Sequence, residues 1–167
     1  MSLEETPGSV GTDGNLAIWF VPYGEGTNPA SKATLEGATS KRITYSLTPD
    51  GFNHSTDEAT IEDGRLTLKQ QLQQAGTVTD NLELSYVYGA ADDVADVALT
   101  EGAKGWIVVR YATDNAAAVT ATTDKVDVIP VRCGVQRKAA PARNAVFTKT
   151  QKMFVTGTVL RDESVVA

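Results

Sequence analysis

The stretch Asn81–Tyr88, NLELSYVY, alternates apolar and polar side chains along its length. The apolar members would share one face and the polar members the other: Leu82, Leu84, Tyr86 and Tyr88 against Glu83 and Ser85. Successive side chains of a strand point to opposite faces, so this period of two predicts a β-strand with one buried and one wet face.

The same period continues on both sides of this strand. Leu66–Gln74, LTLKQQLQQ, places Leu66, Leu68 and Leu72 opposite polar residues, which predicts a second strand with a wet face. Arg42–Thr48 alternates in the same way, with Ile43, Tyr45 and Leu47 on one face, and Pro49-Asp50-Gly51 carries the turn chemistry that would end it. Adjacent strands of this kind predict a sheet that borders water.

Other apolar runs predict further strands, at Asn15–Tyr23, Trp106–Tyr111, Lys125–Val135 and Thr150–Leu160. One helix is predicted at Ala91–Glu101, where Val94, Val97 and Ala98 share a face and Gly102 supplies a stop. The predicted fold class is mainly β, an antiparallel β-sandwich or barrel of about six to eight strands flanked by one short α-helix.

Polar segments without periodicity predict arms and loops. Residues 1–14 are predicted to form a flexible N-terminal arm, and residues 24–40 a loop. Phe52–Arg65 is polar and acidic, so we expect a long loop or an extended hairpin that projects from the sheet.

Length and composition limit the possible classes of protein. With 167 residues, of which 41% are hydrophobic, the chain fits one globular domain, 1–167. It has no run of about 20 apolar residues, and its first residues are acidic where a signal peptide would be basic. We therefore expect that the protein is made in a cytoplasm and is not inserted into a membrane. Cys133 is the sole cysteine, which excludes an intrachain disulfide and a cysteine-based zinc cluster.

Charge is distributed unevenly along the chain. The formal net charge is -6, yet residues 1–131 carry 8 Lys and Arg against 19 Asp and Glu, and residues 132–167 carry 7 against 2. The basic part could bind nucleic acid, but beyond Phe147 it lacks the interleaved aromatic residues that stack on bases. A solvated or subunit-facing basic surface is the favoured interpretation, because opposite charges on one chain can meet across copies.

Catalytic and metal sites are not predicted. His54 is the sole histidine and lies without partner histidines, and Cys133 lies in an apparent strand where a buried, inert thiol is expected. The acidic clusters lack the spacing of a calcium loop, and Gly24 and Gly26 form only a GxG pair, too little for a phosphate-binding loop. We therefore predict a protein that is not an enzyme and has no cofactor.

Unpaired sheet edges predict assembly. Leu66–Gln74 lacks the Pro and Gly residues that usually blunt an edge strand, and a ring of subunits that extend each other's sheets would remove such edges by closure. The sequence permits this arrangement.

Four stretches carry a resemblance to a known family: SLTPDGF (46–52), RLTLKQQLQQAGTVTDNLELSYVYG (65–89), KVDVIPVRCGVQRKAAPARN (125–144) and TQKMFVTGTV (150–159). In this order and spacing the chain resembles the major tail tube proteins of long, non-contractile-tailed phages that infect actinobacteria. The resemblance implies homohexameric rings, assembled in the host cytoplasm and stacked into the tail tube of the virion. Its implied partners are other copies of the chain, a tape measure protein inside the tube, and tail terminator and distal tail proteins at its ends.

The resemblance also implies which segments make contacts. Ring-to-ring contacts would come from the loop 49–65, the arm 1–14 and a C-terminal tail, 161–167. Candidate interface residues are Pro49, Asp50, Gly51, Phe52, Glu58, Glu62, Asp63, Arg65, Arg137, Lys138 and Arg143. Double-stranded DNA would pass without specific binding along a wall whose candidate residues are Thr67, Lys69, Gln71, Gln73, Glu83 and Ser85. The alternative is another β-rich virion component, such as a capsid decoration or a tail completion or adhesion module.

Overall fold

The computed structural model describes residues 6–167, which form eight strands and two short helices. In chain order the elements are β1 (Leu16–Pro22), α1 (Lys32–Leu35), β2 (Lys41–Arg42), a 3-10 turn (Thr44–Ser46), β3 (Leu47–Asp63), β4 (Leu72–Val87), α2 (Val94–Ala98), β5 (Lys104–Tyr111), β6 (Lys125–Lys138), β7 (Thr148–Val155) and β8 (Leu160–Ser164).

All eight strands belong to one curled antiparallel sheet in the order β2-β1-β5-β6-β7-β4-β3. Strand β8 lies off this path and pairs with the first part of β6, while β7 pairs with the last part. The mainly β, antiparallel class predicted from the sequence is confirmed. Neither helix is long and apolar enough to cross a bilayer, and the same holds for every helical turn within residues 6–167.

The sheet packs a hydrophobic core on each of its faces. Along β1, Ile18 and Phe20 enter the first core on one face of the sheet, called the inner face, while Trp19 and Val21 enter the second core on the opposite, outer face. Burial on both faces explains why β1 is a continuous apolar run instead of an alternating one. The second core covers only the part of the sheet formed by β1, β5 and the start of β6.

Two predicted features near β2 and β3 are wrong. Arg42–Thr48 does not form one strand, because the chain turns at Thr44–Ser46, burying Ile43 and leaving Tyr45 84% exposed. Pro49-Asp50-Gly51 does not end a strand but lies inside β3, where the pairing with β4 shifts register between Leu47 and Phe52. Turn residues can be accommodated there because a β-bulge bends the strand.

The strand predicted at Leu66–Gln74 is wrong for residues 66–71, and only Leu72–Gln74 belong to a strand. The chain reverses between the end of β3 at Asp63 and the start of β4 at Leu72. Leu66, 96% exposed, has no buried face to occupy. Leucines therefore alternate with polar residues here although neither face of the segment is buried.

Three further boundaries differ from the prediction. The helix is limited to Val94–Ala98, and its buried side chain is Ala95, followed by Leu99, whereas Val97 is 75% exposed. Thr150–Leu160 is divided between β7 and β8, and the loop 24–40 contains α1.

The two chain ends behave differently. The C-terminal segment 161–167 is not a free tail, because it contains most of β8, Val165 is buried, and the Val166 N–H donates to the Ala30 carbonyl at 3.0 Å. Of the predicted N-terminal arm, residues 6–14 are exposed and without helix or strand, and residues 1–5 lie outside the described part of the chain.

Candidate assembly interface

The β3–β4 hairpin extends beyond the rest of the sheet. Strand β4 pairs with β7 only from Leu82 to Val87, while its pairing with β3 continues out to Asp63 and Leu72. Beyond Leu82 the hairpin is therefore a two-stranded ribbon that projects roughly 30 Å at about 3.3 Å per residue. We call residues 56–80 the ribbon and residues 64–71 its tip.

The ribbon exposes apolar side chains that no core within residues 6–167 covers. Five are between about two-fifths and fully exposed: Ile61, Leu66, Leu68, Leu72 and Val78. An isolated two-stranded hairpin is at best marginally stable in water. Contact with another surface would bury these side chains and stabilise the ribbon.

A polar cluster fixes the base of the ribbon. Asp80 accepts hydrogen bonds from Thr56 Oγ1 at 2.6 Å and Arg161 Nη2 at 2.8 Å, and its Oδ1 lies 3.1 Å from His54 Nε2. Burial raises the pKa of Asp80, but the hydrogen bonds from Thr56 and His54 and the charges of Arg161 and His54 outweigh it, so the pKa is lowered. The predicted lone loop histidine is thus a partner of this carboxylate.

The opposite end of the sheet carries α2 and the loop 139–147. Because neighbouring strands are antiparallel, the end of β4 lies beside the start of β7 and the end of β6. Residues 88–103, which include α2, leave from this end, and so does the loop between β6 and β7. The ribbon tip and this surface therefore lie at opposite ends of the molecule.

Buried polar contacts hold α2 on the sheet. Gln151 accepts from Tyr86 Oη at 3.1 Å and donates to the carbonyls of Leu99 at 3.0 Å and Gly134 at 2.7 Å. The Lys149 ammonium forms an ion pair with Asp96 on α2. Since these groups are largely buried and partnered, α2 has a fixed position relative to β6 and β7.

The predicted interface residues fall in three places. Glu58, Glu62, Asp63 and Arg65 lie on the ribbon, with Arg65 Nε 2.8 Å from Asp63 Oδ1. Pro49, Asp50, Gly51 and Phe52 lie near the opposite end of β3, where Gly51 is buried and Phe52 packs on the first core. Arg137, Lys138 and Arg143 lie at the end of the sheet that carries α2.

The predicted wall residues do not form one group. Thr67, Lys69 and Gln71 belong to the ribbon tip, and Gln73 lies on the ribbon part of β4. Glu83 and Ser85 lie on the outer face of β4, where Ser85 Oγ is 3.1 Å from Thr150 Oγ1 and Glu83 Oε2 is 3.2 Å from Arg137 Nη2. Arg137, predicted for subunit contact, therefore shares a face with Glu83.

Sequence interpretation missed a groove on this outer face. It has a volume of about 610 Å³, and its charged lining residues are Glu101, Arg132, Arg137 and Lys152. Arg132 pairs with Phe154 across β6 and β7, and Lys152 pairs with Glu83 across β7 and β4. Alternation of Arg132 and Lys152 with buried neighbours was the available signal, since Val131, Cys133, Gln151 and Met153 are buried.

The described part of the chain holds no cluster of metal ligands, and its one cysteine is buried. Within residues 6–167, no group of three or more His, Cys, Asp or Glu side chains could hold a metal ion. Cys133 is buried, and burial raises the pKa of its thiol to about 11.

Comparison with known proteins decides the family. The family model described as "Phage tail tube protein" matches residues 3–167. The chain belongs to the phage tail tube protein family. The prediction of a tail tube protein is thereby confirmed, while the type of phage stays a prediction. Membership implies a structural, non-enzymatic component of a phage tail.

A solved structure shares the fold of this tail tube protein. It is titled "Cryo-EM structure of the anti-feeding prophage (AFP) baseplate, 6-fold symmetrised", and the chain is similar to it at a TM-score of 0.58 with 10% identity. The alignment covers 96% of this tail tube protein and 99% of the other chain. No curated protein matches the sequence.

Proposed function

We propose that this tail tube protein assembles as homohexameric rings that stack into the tube of a long, non-contractile phage tail, through which double-stranded DNA reaches the host. The observation that carries the proposal is the placement of the acidic ribbon and the basic segment at opposite ends of one subunit. The rings would assemble in the host cytoplasm.

Opposite placement supports stacking from head to tail. Glu58 and Glu62 lie on the ribbon, whereas Lys138 and Arg143 lie at the other end of the sheet. Two different surfaces that fit each other form a heterologous contact, and repeating it along an axis gives an open filament. Opposite charges would set the register and direction of the stack.

Open sheet edges support closure into rings. Among the described strands, β3 ends the sheet on one side, and the two-residue β2 ends it on the other. An edge strand as long as β3 tends to pair with another chain unless it is blocked. The similar chain from a six-fold symmetrised assembly agrees with six subunits in the ring.

The outer face of β3, β4, β7 and the end of β6 is the proposed wall of the channel. The second core covers the rest of this face, which is formed by β1, β5 and the start of β6. The part formed by β3, β4, β7 and the end of β6 is therefore the uncovered surface within the described chain. Glu83 and Ser85 stay as wall candidates, and Arg132, Arg137 and Lys152 join them. The wall would then carry mixed charges.

Pairing limits how strongly such a wall attracts DNA. Glu83 lies beside Arg137 at 3.2 Å and opposite Lys152 in the β4–β7 register. The single carboxylate of Glu83 beside these two cations weakens the release of counterions that drives phosphate binding. Passage of DNA without specific binding is compatible with this arrangement. The tape measure protein would occupy the channel before DNA, and tail terminator and distal tail proteins would cap the tube.

Electron microscopy of phage particles and of the purified chain tests the proposal. We expect hollow, stacked six-fold rings whose wall contains this chain. A variant in which residues 59–77 are replaced by Asn-Gly keeps Glu58 and Val78 paired, because this dipeptide suits a two-residue hairpin turn. It should keep the circular dichroism and melting temperature of the sheet and lose stacking.

Two results would contradict the proposal. Location of the chain in a capsid, or in a tail part other than the tube, would exclude the tube role. Full-length tubes formed by the shortened variant would exclude the ribbon as the stacking element.

A further inference from the structure

We infer that the groove between α2 and the end of β1 receives the ribbon tip of a second copy. The inference rests on the proposed stacking and adds the receiving surface. Its residues lie on one subunit, and its occupant is Arg65–Lys69 of the next subunit along the tube.

The groove is apolar and of suitable size. It has a volume of about 440 Å³, within the roughly 300–1,000 Å³ typical of binding clefts. Its apolar lining residues include Phe20, Pro22, Val94, Val97 and Ala98. Val97 is 75% exposed beside it. Because buried contacts with Gln136, Lys149 and Gln151 fix the α2 region, the groove is preformed.

The ribbon tip has matching chemistry. Leu66 is 96% exposed and Leu68 is 48% exposed, so the tip presents two apolar side chains to solvent. Its turn has a defined shape, because Thr67 has a φ of 64° and the Leu68 N–H donates to the Arg65 carbonyl at 3.2 Å. Insertion into an apolar groove would remove both leucines from water.

One pair of opposite charges matches the two surfaces, while Lys41 of the groove donates to the Ala38 carbonyl at 2.9 Å. Lys69 is exposed on the tip, and Asp92 is exposed at the rim of the groove. The second rim carboxylate, Asp93, already accepts from the Ala90 N–H at 3.0 Å. Asp92 is therefore the available partner for the Lys69 ammonium.

A tip cannot reach the groove of its own subunit. The tip lies just before β4 in the chain, and residues 88–103, which include α2, lie just after β4. The 16 residues of this strand therefore separate the tip from the groove. At about 3.3 Å per residue this strand spans roughly 50 Å. The occupant must come from another copy, and the contact repeats along the tube instead of closing on itself.

Disulfide trapping in assembled tubes tests the inference. The variant L68C with V97C should form, on mild oxidation, a ladder of covalent multimers in a non-reducing gel. Each single variant should give dimers at most. Cys133 does not interfere, because it is buried. Both substituted side chains are exposed, so neither change removes core packing.

A matched pair separates this surface from its neighbour. Val146 is 70% exposed in the loop 139–147 at the same end of the sheet, so L68C with V146C tests the basic loop as receiver. The inference is supported if tubes of L68C with V97C give a ladder and tubes of L68C with V146C do not. If tubes of L68C with V97C give no ladder, or if the ladder forms only in L68C with V146C, the inference is overturned and the tube role is left intact. Absence of this chain from the tubes of phage particles overturns both.

Discussion

Arg161 donates from Nη2 to Asp80 Oδ1 at 2.8 Å, which joins strand β8 to the base of the projecting ribbon. The C-terminal segment thus helps to set the angle at which the ribbon leaves the sheet. Asp80 also contacts Thr56 and His54, so all three contacts share one carboxylate. The strength of the whole cluster therefore depends on the charge of Asp80.

Substitution of Asp80 by Asn should lower the free energy of unfolding at pH 7 by about 1–3 kcal/mol, the cost of weakening partly buried hydrogen bonds to a charged group. The folded-state pKa is lowered, so the contribution is complete above the unfolded pKa of about 3.9 and is lost as pH falls through the folded pKa. Urea unfolding between pH 7 and pH 2 measures this.

The difference between wild type and D80N should shrink at acid pH. The control D50N changes an exposed carboxylate on the same hairpin and should have little effect. A difference that stays constant from pH 7 to pH 2 would contradict the role of the Asp80 charge.

Gln151 to Leu should destabilise the fold by about 2–4 kcal/mol. The substitution leaves the Gly134 carbonyl and the Tyr86 hydroxyl without this partner, and each unsatisfied buried group costs about 1–3 kcal/mol. The Leu99 carbonyl keeps its hydrogen bond from Gln136 Nε2 at 3.0 Å. Denaturant unfolding measures the loss. Lys152 to Gln, an exposed neighbour on β7, is the control and should stay within about 0.5 kcal/mol. Equal stability of the two variants would show that the network is dispensable.

Gly51 to Ala should lower the melting temperature, because a Cβ atom there would lie 2.2 Å from the Ser85 carbonyl oxygen and 2.7 Å from the Thr48 nitrogen. Relief requires a backbone shift, for which about 1–3 kcal/mol is typical. Gly64 to Ala is the matched control at the tip, where an added Cβ meets nothing within 4 Å. Calorimetry of both variants checks this, and an unchanged G51A would contradict the close packing of β3 on β4.

Cys133 should resist thiol reagents in the folded protein. Burial raises its pKa to about 11, so at pH 8 about one part in a thousand is thiolate, and the sulfur is also enclosed. Labelling by a thiol reagent should be at least tenfold slower in buffer than in denaturant. Its rate should increase with pH through pH 9 and 10. Rapid labelling at pH 7 under native conditions would contradict the buried position.

Parts of the fold could be predicted because a strand that is buried on one face alternates apolar and polar residues in the sequence. Leu82, Leu84 and Tyr86 alternate with polar residues and are buried as predicted. The run around Trp19 was recognised as a strand because burial on both faces favours branched and aromatic residues.

Other parts could not be predicted because the same patterns arise without burial. Leu66 and Leu68 have the spacing of a strand, yet they lie in a turn whose apolar side chains no core of the described chain covers. Val97 has helical spacing but faces outward, because Ala95 and Leu99 supply the buried side of α2. The alternation around Arg132 and Lys152 indicates an exposed face, but the groove itself is formed by strands from distant parts of the sequence.

The slender ribbon also has a mechanical consequence. Beyond Leu82 it is two strands wide and makes no β-ladder with the remaining described strands. In the proposed tube, a filament joined through such ribbons would flex at its joints. Each ring would keep a stiff cross-section, because every subunit contains two packed cores. A tail of this kind could curve without narrowing its bore.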